Sequence, residues 1–287
     1  MVRINNLTEK NDATVYAKLE EYNIGGSVKD RMALYLIEDA EKRGVLGKNK
    51  ILLEASSGNT GIAMAMIAGV KGYEIEIVIP ESVSVERRKL IKAYGAKLVL
   101  SPAEKGTGGA VEMKDKMLAE NPGKYANLDQ FSNPANITAH YETTAKEILD
   151  ETKGKLDMVV LGLGTAGTGI GVSKRLREND PKVRIIGVLP ELGSAIQGLR
   201  HPKELNPTKL FDKKYFDEIV EIKKEHIPEA FEVSRNLAKK EGILAGMSSG
   251  AAMHVALEKA KELGAGKVIV VILPDTGERY LSTTLFE

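Results

Sequence analysis

The chain has 287 residues, enough for about two domains and a sizeable hydrophobic core. With 41 basic against 40 acidic side chains it has no field to steer polyanions, so no nucleic-acid partner is expected. The absence of cysteine removes disulfides, thiolate metal sites and a thiol nucleophile together. The opening residues carry no apolar leader, and no stretch approaches the roughly 18 apolar residues of a membrane span, so a soluble cytoplasmic protein is expected.

In chain order, short β-branched runs alternate with helical spacing of apolar positions. Strands are predicted over 14–19, 50–54, 74–79, 97–100, 158–161, 184–189 and 267–273, with apolar runs that read as buried on both faces. Helices are predicted over 30–43, 60–69, 85–94, 135–152 and 228–240. The stretch 191–214, with Pro202, Pro207 and several charges, reads as a surface excursion. The class is α/β, with two doubly wound domains of mainly parallel sheets. A domain change is expected near 130–136, dividing the chain into 26–132 and a second domain made of 1–25 with 133–287. A ligand cleft is expected at that change, beyond the carboxyl ends of the strands.

Four glycine-rich or hydroxyl-rich loops follow predicted strands or open helices. Gly25-Gly26-Ser27-Val28-Lys29 puts a lysine in a flexible turn at a helix start. Alone it could be a solvated helix N-terminus, but it is paired with Ser56-Ser57-Gly58-Asn59-Thr60-Gly61 about one βα unit later. One polar residue would suffice to cap that helix, so its concentration of hydroxyls, amide and free N–H groups points to a carboxylate ligand. Gly162-Leu163-Gly164-Thr165-Ala166-Gly167-Thr168 is expected to cradle a phosphate, and it also satisfies the G-x-G-x-x-G dinucleotide fingerprint. A nicotinamide-dependent dehydrogenase therefore stays open as an alternative, although it gives no role to Lys29 or the Asn59 loop. Gly246-Met247-Ser248-Ser249-Gly250 again places hydroxyls at a helix start, where an N-cap is the plain alternative. Together the loops outline a pyridoxal-phosphate pocket with a Schiff base at Lys29. His140, His201, His226 and His254 show no metal-ligand spacing and read as surface or packing residues, and no metal site is expected.

In order and spacing these loops, with Pro274-Asp275-Thr276-Gly277-Glu278-Arg279-Tyr280-Leu281-Ser282, resemble the cysteine synthase family of fold-type II, tryptophan-synthase-β-like, pyridoxal-phosphate enzymes. The resemblance implies Lys29 as the Schiff-base and catalytic residue, Asn59 on the cofactor's ring hydroxyl, Ser248 facing the pyridine nitrogen, and Gly164, Thr165, Ala166, Gly167 and Thr168 around the phosphate. It implies Ser56, Ser57, Gly58, Thr60 and Gln130 around the substrate carboxylate. The implied reaction is β-replacement, forming L-cysteine from O-acetylserine or O-phosphoserine and a sulfur donor through an aminoacrylate intermediate in a cytoplasmic homodimer. Cystathionine β-synthase and serine dehydratase are the alternatives within the family. The short Glu191–Pro202 segment resembles the B-type enzymes, and there Arg200 either reaches an anionic leaving group or is a solvated arginine.

Ile24, Ala166 and Ala145-Lys146 depart from the family pattern. The chain also begins inside what is normally the first strand, after a Gly-Asn-Thr-Pro segment and its helix, with an expected cost to dimer contacts or stability.

Overall fold

A computed structural model describes residues 1–47, 49–56, 58–204 and 208–287. The chain runs through β1 (Val2–Arg3), β2 (Thr14–Leu19), α1 (Lys29–Lys42), β3 (Ile51–Ala55), α2 (Asn59–Lys71), β4 (Ile75–Pro80), α3 (Val85–Ala93), β5 (Lys97–Ser101), α4 (Gly106–Glu120) and β6 (Tyr125–Asn127). It continues through α5 (Ala135–Glu142), α6 (Thr144–Thr152), β7 (Met158–Gly162), α7 (Gly167–Asn179), β8 (Arg184–Pro190), β9 (Glu218–Ile222), α8 (Ile227–Asn236), α9 (Met247–Leu263) and β10 (Val268–Leu273). Residues separate into a smaller unit, Lys29–Asn136, and a larger one, Met1–Val28 with Ile137–Glu287.

The smaller unit holds a parallel sheet in the order β5-β4-β3-β6. β4 is buried along its whole length, as a central parallel strand covered on both faces must be. β5 departs from that expectation: it is the edge strand, and Lys97, Leu98, Val99 and Leu100 are partly or fully exposed. α2 is apolar nearly all round because it is buried, and it stops where Gly72, at φ 75°, turns its N–H back to the carbonyls of Ala68 and Gly69. The order reverses between β3 and β6, which places the chain leaving β3 beside the chain leaving β6.

The larger unit holds the order β1-β2-β10-β7-β8-β9, parallel except for β1. Two apolar clusters cover its faces, one built on α8 and α9 and the other on α6 and α7. Each fully buried Ile, Leu or Val contributes about 1.5–3 kcal/mol relative to exposure. The predicted helix over 135–152 is two helices, Ala135–Glu142 and Thr144–Thr152, broken at Thr143, where φ of −117° and ψ of −75° depart from regular helix values. α7 packs closely on α5: a Cβ on Gly171 would lie 2.5 Å from the Ile137 carbonyl oxygen and 2.8 Å from the Tyr141 nitrogen. These are backbone atoms with no rotamer to yield. Gly171→Ala is therefore expected to cost about 1–3 kcal/mol, read as a lower denaturant midpoint with unchanged slope.

Among the described residues no helix is long and apolar enough to cross a membrane, and no group of three or more His, Asp or Glu could hold a metal ion.

Candidate active site

In the smaller unit, the strand-to-helix turn after β3 carries the hydroxyl loop. Its entry is fixed by the Ser56 N–H donating to the Val78 carbonyl at 3.0 Å. Ser56 Oγ accepts from the N–H groups of Gly58 at 3.2 Å and Gly61 at 3.0 Å, so this side chain caps α2 from within the loop. Gly61 is needed for the approach, since a Cβ there would meet Ile77 at 3.1 Å and Ile91 at 3.3 Å. Asn59 is the first residue of α2 and is half-buried, while Thr60 is buried. Thr60 Oγ1 donates to Gln130 Oε1 at 2.8 Å, Gln130 Nε2 donates to the Ala55 carbonyl at 3.3 Å, and Asn136 Nδ2 donates to the Gln130 carbonyl at 2.9 Å. Gln130, 70 residues from Thr60, is thus brought to the same loop by the reversal of strand order. Ser57 lies outside the described residues. The first-turn N–H groups of a helix have no intrahelical acceptor, so this loop offers donors suited to a carboxylate.

Lys29 is the first residue of α1 and is half-buried. α1 packs on α2, so the helices that begin with Lys29 and with Asn59 are neighbours.

Two charged residues near the hydroxyl loop belong to no sequence motif. Arg87 of α3 is only 4% exposed, and its guanidinium carbon would stand 3.7 Å from a Cβ on Gly58. Glu54, on β3, is 1% exposed. Burial pushes its carboxyl up to about 7, against the opposing pull of the Lys114 ammonium and the N–H groups of Ala55 and Gln130. Both residues sit on elements whose pattern reads as ordinary helix surface or strand.

In the larger unit, the turn from β7 into α7 carries the glycine loop. The Leu163 N–H donates to the Val188 carbonyl at 2.7 Å, the Gly167 N–H lies 3.4 Å from Thr165 Oγ1, and Ala166 takes φ 67° just before the helix. A non-glycine residue in that basin carries backbone strain of about 1 kcal/mol, held here by the packed loop. A Cβ on Gly164 would meet the Gly198 carbonyl oxygen at 3.0 Å, and one on Gly198, at φ 97°, would meet Ser248 Oγ at 3.0 Å. Gly164, Gly198 and Ser248 are thereby brought together.

The stretch 191–214 is more than a surface excursion. Leu199 covers Gly162, the Arg200 N–H donates to the Leu163 carbonyl at 2.8 Å, and Thr208 Oγ1 donates to the Thr165 carbonyl at 2.9 Å. Leu199, Arg200 and Thr208 thus pack over the glycine loop. The Arg200 guanidinium Nε lies 3.2 Å from Glu204. His140 is also more than packing: it is 1% exposed, with Nδ1 2.9 Å from Thr144 Oγ1 and Nε2 3.1 Å from Thr168 Oγ1. It fixes the hydroxyl of a predicted phosphate-loop residue from below.

The turn that precedes Lys29 is pinned within the larger unit. The Arg279 guanidinium donates to the Gly25 carbonyl, and a Cβ on Gly26, at φ 77°, would lie 2.7 Å from Arg279 Nη2, so only glycine leaves room. The Val28 N–H donates to the Pro274 carbonyl at 2.9 Å, and Tyr280 Oη donates to the buried Asp275 at 2.7 Å. Burial, then the neighbouring Asp275 and Glu278, hold Glu21 above the usual carboxylate range.

Two mainly parallel α/β sheets each carry a polar loop at the carboxyl end of a strand beside the reversal of order, the place where proteins of the α/β class bind ligands. A family model described as pyridoxal-phosphate dependent enzyme matches residues 1–275. The chain is 44% identical over 298 residues to cysteine synthase of Staphylococcus aureus strain Mu50, covering 100% of this chain and 93% of that one. It is 44% identical over 287 residues to cysteine synthase B of Salmonella typhimurium strain LT2, covering 100% and 92%. Among solved structures, O-ureido-L-serine synthase superposes with a TM-score of 0.91 at 42% identity, over 99% of this chain and 91% of that one. The chain belongs to the cysteine synthase family of pyridoxal-phosphate-dependent enzymes.

The residues present fit that cofactor. Ser248 is 1% exposed, carries a neutral hydroxyl at the start of α9 and lies beside Gly198 over the glycine loop, a side chain able to meet a ring nitrogen. A Cβ at Gly164 would crowd the Gly198 carbonyl oxygen at 3.0 Å, and the loop's amides lead into the N-terminus of α7, a donor set for a phosphate dianion.

Proposed function

We propose that this enzyme replaces the β-substituent of O-acetylserine with sulfide, releasing acetate and forming L-cysteine. The observation that carries the reading is Ser248: the side chain available at the start of α9 is a neutral hydroxyl rather than a carboxylate. When bound, pyridoxal phosphate withdraws electrons from the substrate Cα, and a neutral partner at its ring nitrogen makes that withdrawal modest, which favours β-elimination over prolonged carbanion chemistry.

Each residue then has a task. Lys29 Nζ would hold the cofactor covalently in the resting enzyme; freed when the substrate amine takes its place, it would take the Cα proton as the Cβ–O bond breaks and return it once the Cβ–S bond has formed. Asn59 would hold the ring hydroxyl, and Gly164, Thr165, Ala166, Gly167 and Thr168 would hold the phosphate, with His140 orienting the Thr168 hydroxyl. Ser56, Ser57, Gly58, Thr60 and Gln130 grip the substrate carboxylate, which sets the Cα–H bond for transfer. The enzyme works as a cytoplasmic homodimer. The Rossmann-like spelling of the glycine loop serves phosphate recognition here, since membership in a pyridoxal-phosphate family displaces the dehydrogenase alternative.

Product analysis tests this reading. Cofactor-loaded enzyme given O-acetylserine and sulfide is expected to yield cysteine and acetate in equal amounts. Pyruvate as the main product, or preferential use of homocysteine, would overturn it. The leaving group is tested with Arg200→Ala. If Arg200 reads a phosphate, kcat/KM for O-phosphoserine falls about 10- to 100-fold and that for O-acetylserine stays within about 2-fold, as expected for one charge-assisted hydrogen bond.

A further inference from the structure

We infer that Glu54 is a positioning residue for the substrate carboxylate, its buried carboxyl fixing the end of β3 against Gln130 so that the donors of the hydroxyl loop converge. This rests on the proposed role of Ser56, Thr60 and Gln130. Glu54 is the next-to-last residue of β3, in register with Ile77 of β4, at the point where strand order reverses toward β6. Its strand neighbours Leu52, Leu53 and Ala55 are apolar and at most 1% exposed. A carboxyl in that setting is costly, and a leucine would pack there without the desolvation penalty.

Nearby contacts show what the acid does. Glu54 Oε1 accepts from the Ala55 N–H at 3.0 Å, and the Gln130 N–H approaches the same carboxyl. The Ala55 carbonyl in turn accepts from Gln130 Nε2, and Gln130 Oε1 accepts from Thr60. One peptide unit away from the ligand loop, the carboxyl therefore holds Ala55 by its N–H while Gln130 holds it by its carbonyl. Glu54 Oε2 is buried with no hydrogen-bond partner among the described residues, so the side chain is not consumed by an ion pair. The charged groups that face it are Lys114 of α4, itself 3.2 Å from Asp115, and Asp129 of the loop leading to Gln130. This is the geometry of a brace under a binding loop.

The test uses cofactor-loaded enzyme. Glu54→Leu is expected to raise KM for O-acetylserine at least about 10-fold with kcat within about 2-fold, and to weaken L-alanine, an amino acid without a leaving group, by a similar factor in a spectroscopic titration. Glu54→Gln keeps an acceptor for the Ala55 N–H and is expected to stay within about 3-fold of wild type. Where Glu54→Leu does not fold, Glu54→Asp, which withdraws the acid by one methylene, reads the same KM. A KM within 2-fold of wild type in the Leu or Asp variant, a loss confined to kcat, or equal losses in the Leu and Gln variants would overturn the inference. A wild type that does not convert O-acetylserine would defeat the functional reading instead, and the L-alanine titration would still report on Glu54.

Discussion

Replacing Lys29 with alanine is expected to lower turnover of O-acetylserine by about a thousandfold or more while the protein stays folded. General acid–base transfer by a positioned side chain is worth roughly 10²–10⁴-fold, and Lys29 is proposed to supply both that transfer and the covalent anchor. Stability is expected to change little. Lys29 begins α1 and is half-buried, and alanine is the better helix former, so the change should stay within about 1 kcal/mol. The checks are steady-state kcat/KM and a thermal melt on the same preparation. Near-normal turnover in a folded Lys29→Ala protein would remove the lysine from the mechanism.

The second large effect concerns stability against pH. Glu54 titrates at about 7 in the folded protein, raised from the ordinary value near 4.5 mainly by burial. A group with a raised folded pKa contributes stability that is fully present below its unfolded pKa and is lost as pH rises through the folded one. The window is therefore pH 4.5 to about 7, and a shift of that size corresponds to about 3 kcal/mol. Glu54→Gln stays neutral throughout and escapes that loss. Denaturant unfolding of both proteins between pH 5 and 8 is expected to show the glutamine variant gaining on wild type by up to about 3 kcal/mol. A difference independent of pH would mean that Glu54 ionises normally in the folded state.

The loops were legible because each spends residues that neither a strand nor a helix needs. A Cβ on Gly162 would meet Leu199 at 2.3 Å and one on Gly164 would crowd a backbone carbonyl at 3.0 Å, and the hydroxyls around Asn59 exceed what one helix cap uses. Central strands were legible from apolar runs, whereas β6, with three residues, and β9, half-buried along most of its length, fall below that signal. α4 was hidden by its opening Gly-Thr-Gly-Gly and by Lys114, a charged residue that faces inward. What supports the loops was least visible. Glu54, Arg87 and His140 become informative only through burial and partners far along the chain, such as His140 to Thr168 and Glu54 to Gln130. The packing of 191–214 over the glycine loop was hidden for the same reason, since Leu199 and Gly198 contact residues brought near by the crossover between β7 and β8.

The central claim is that this chain works through pyridoxal phosphate held at one lysine, and borohydride tests it most directly. Reducing the cofactor-loaded enzyme and mapping its peptides should place the phosphopyridoxyl group on Lys29, at one group per chain. Label on a different lysine, or spread over many, would contradict the account.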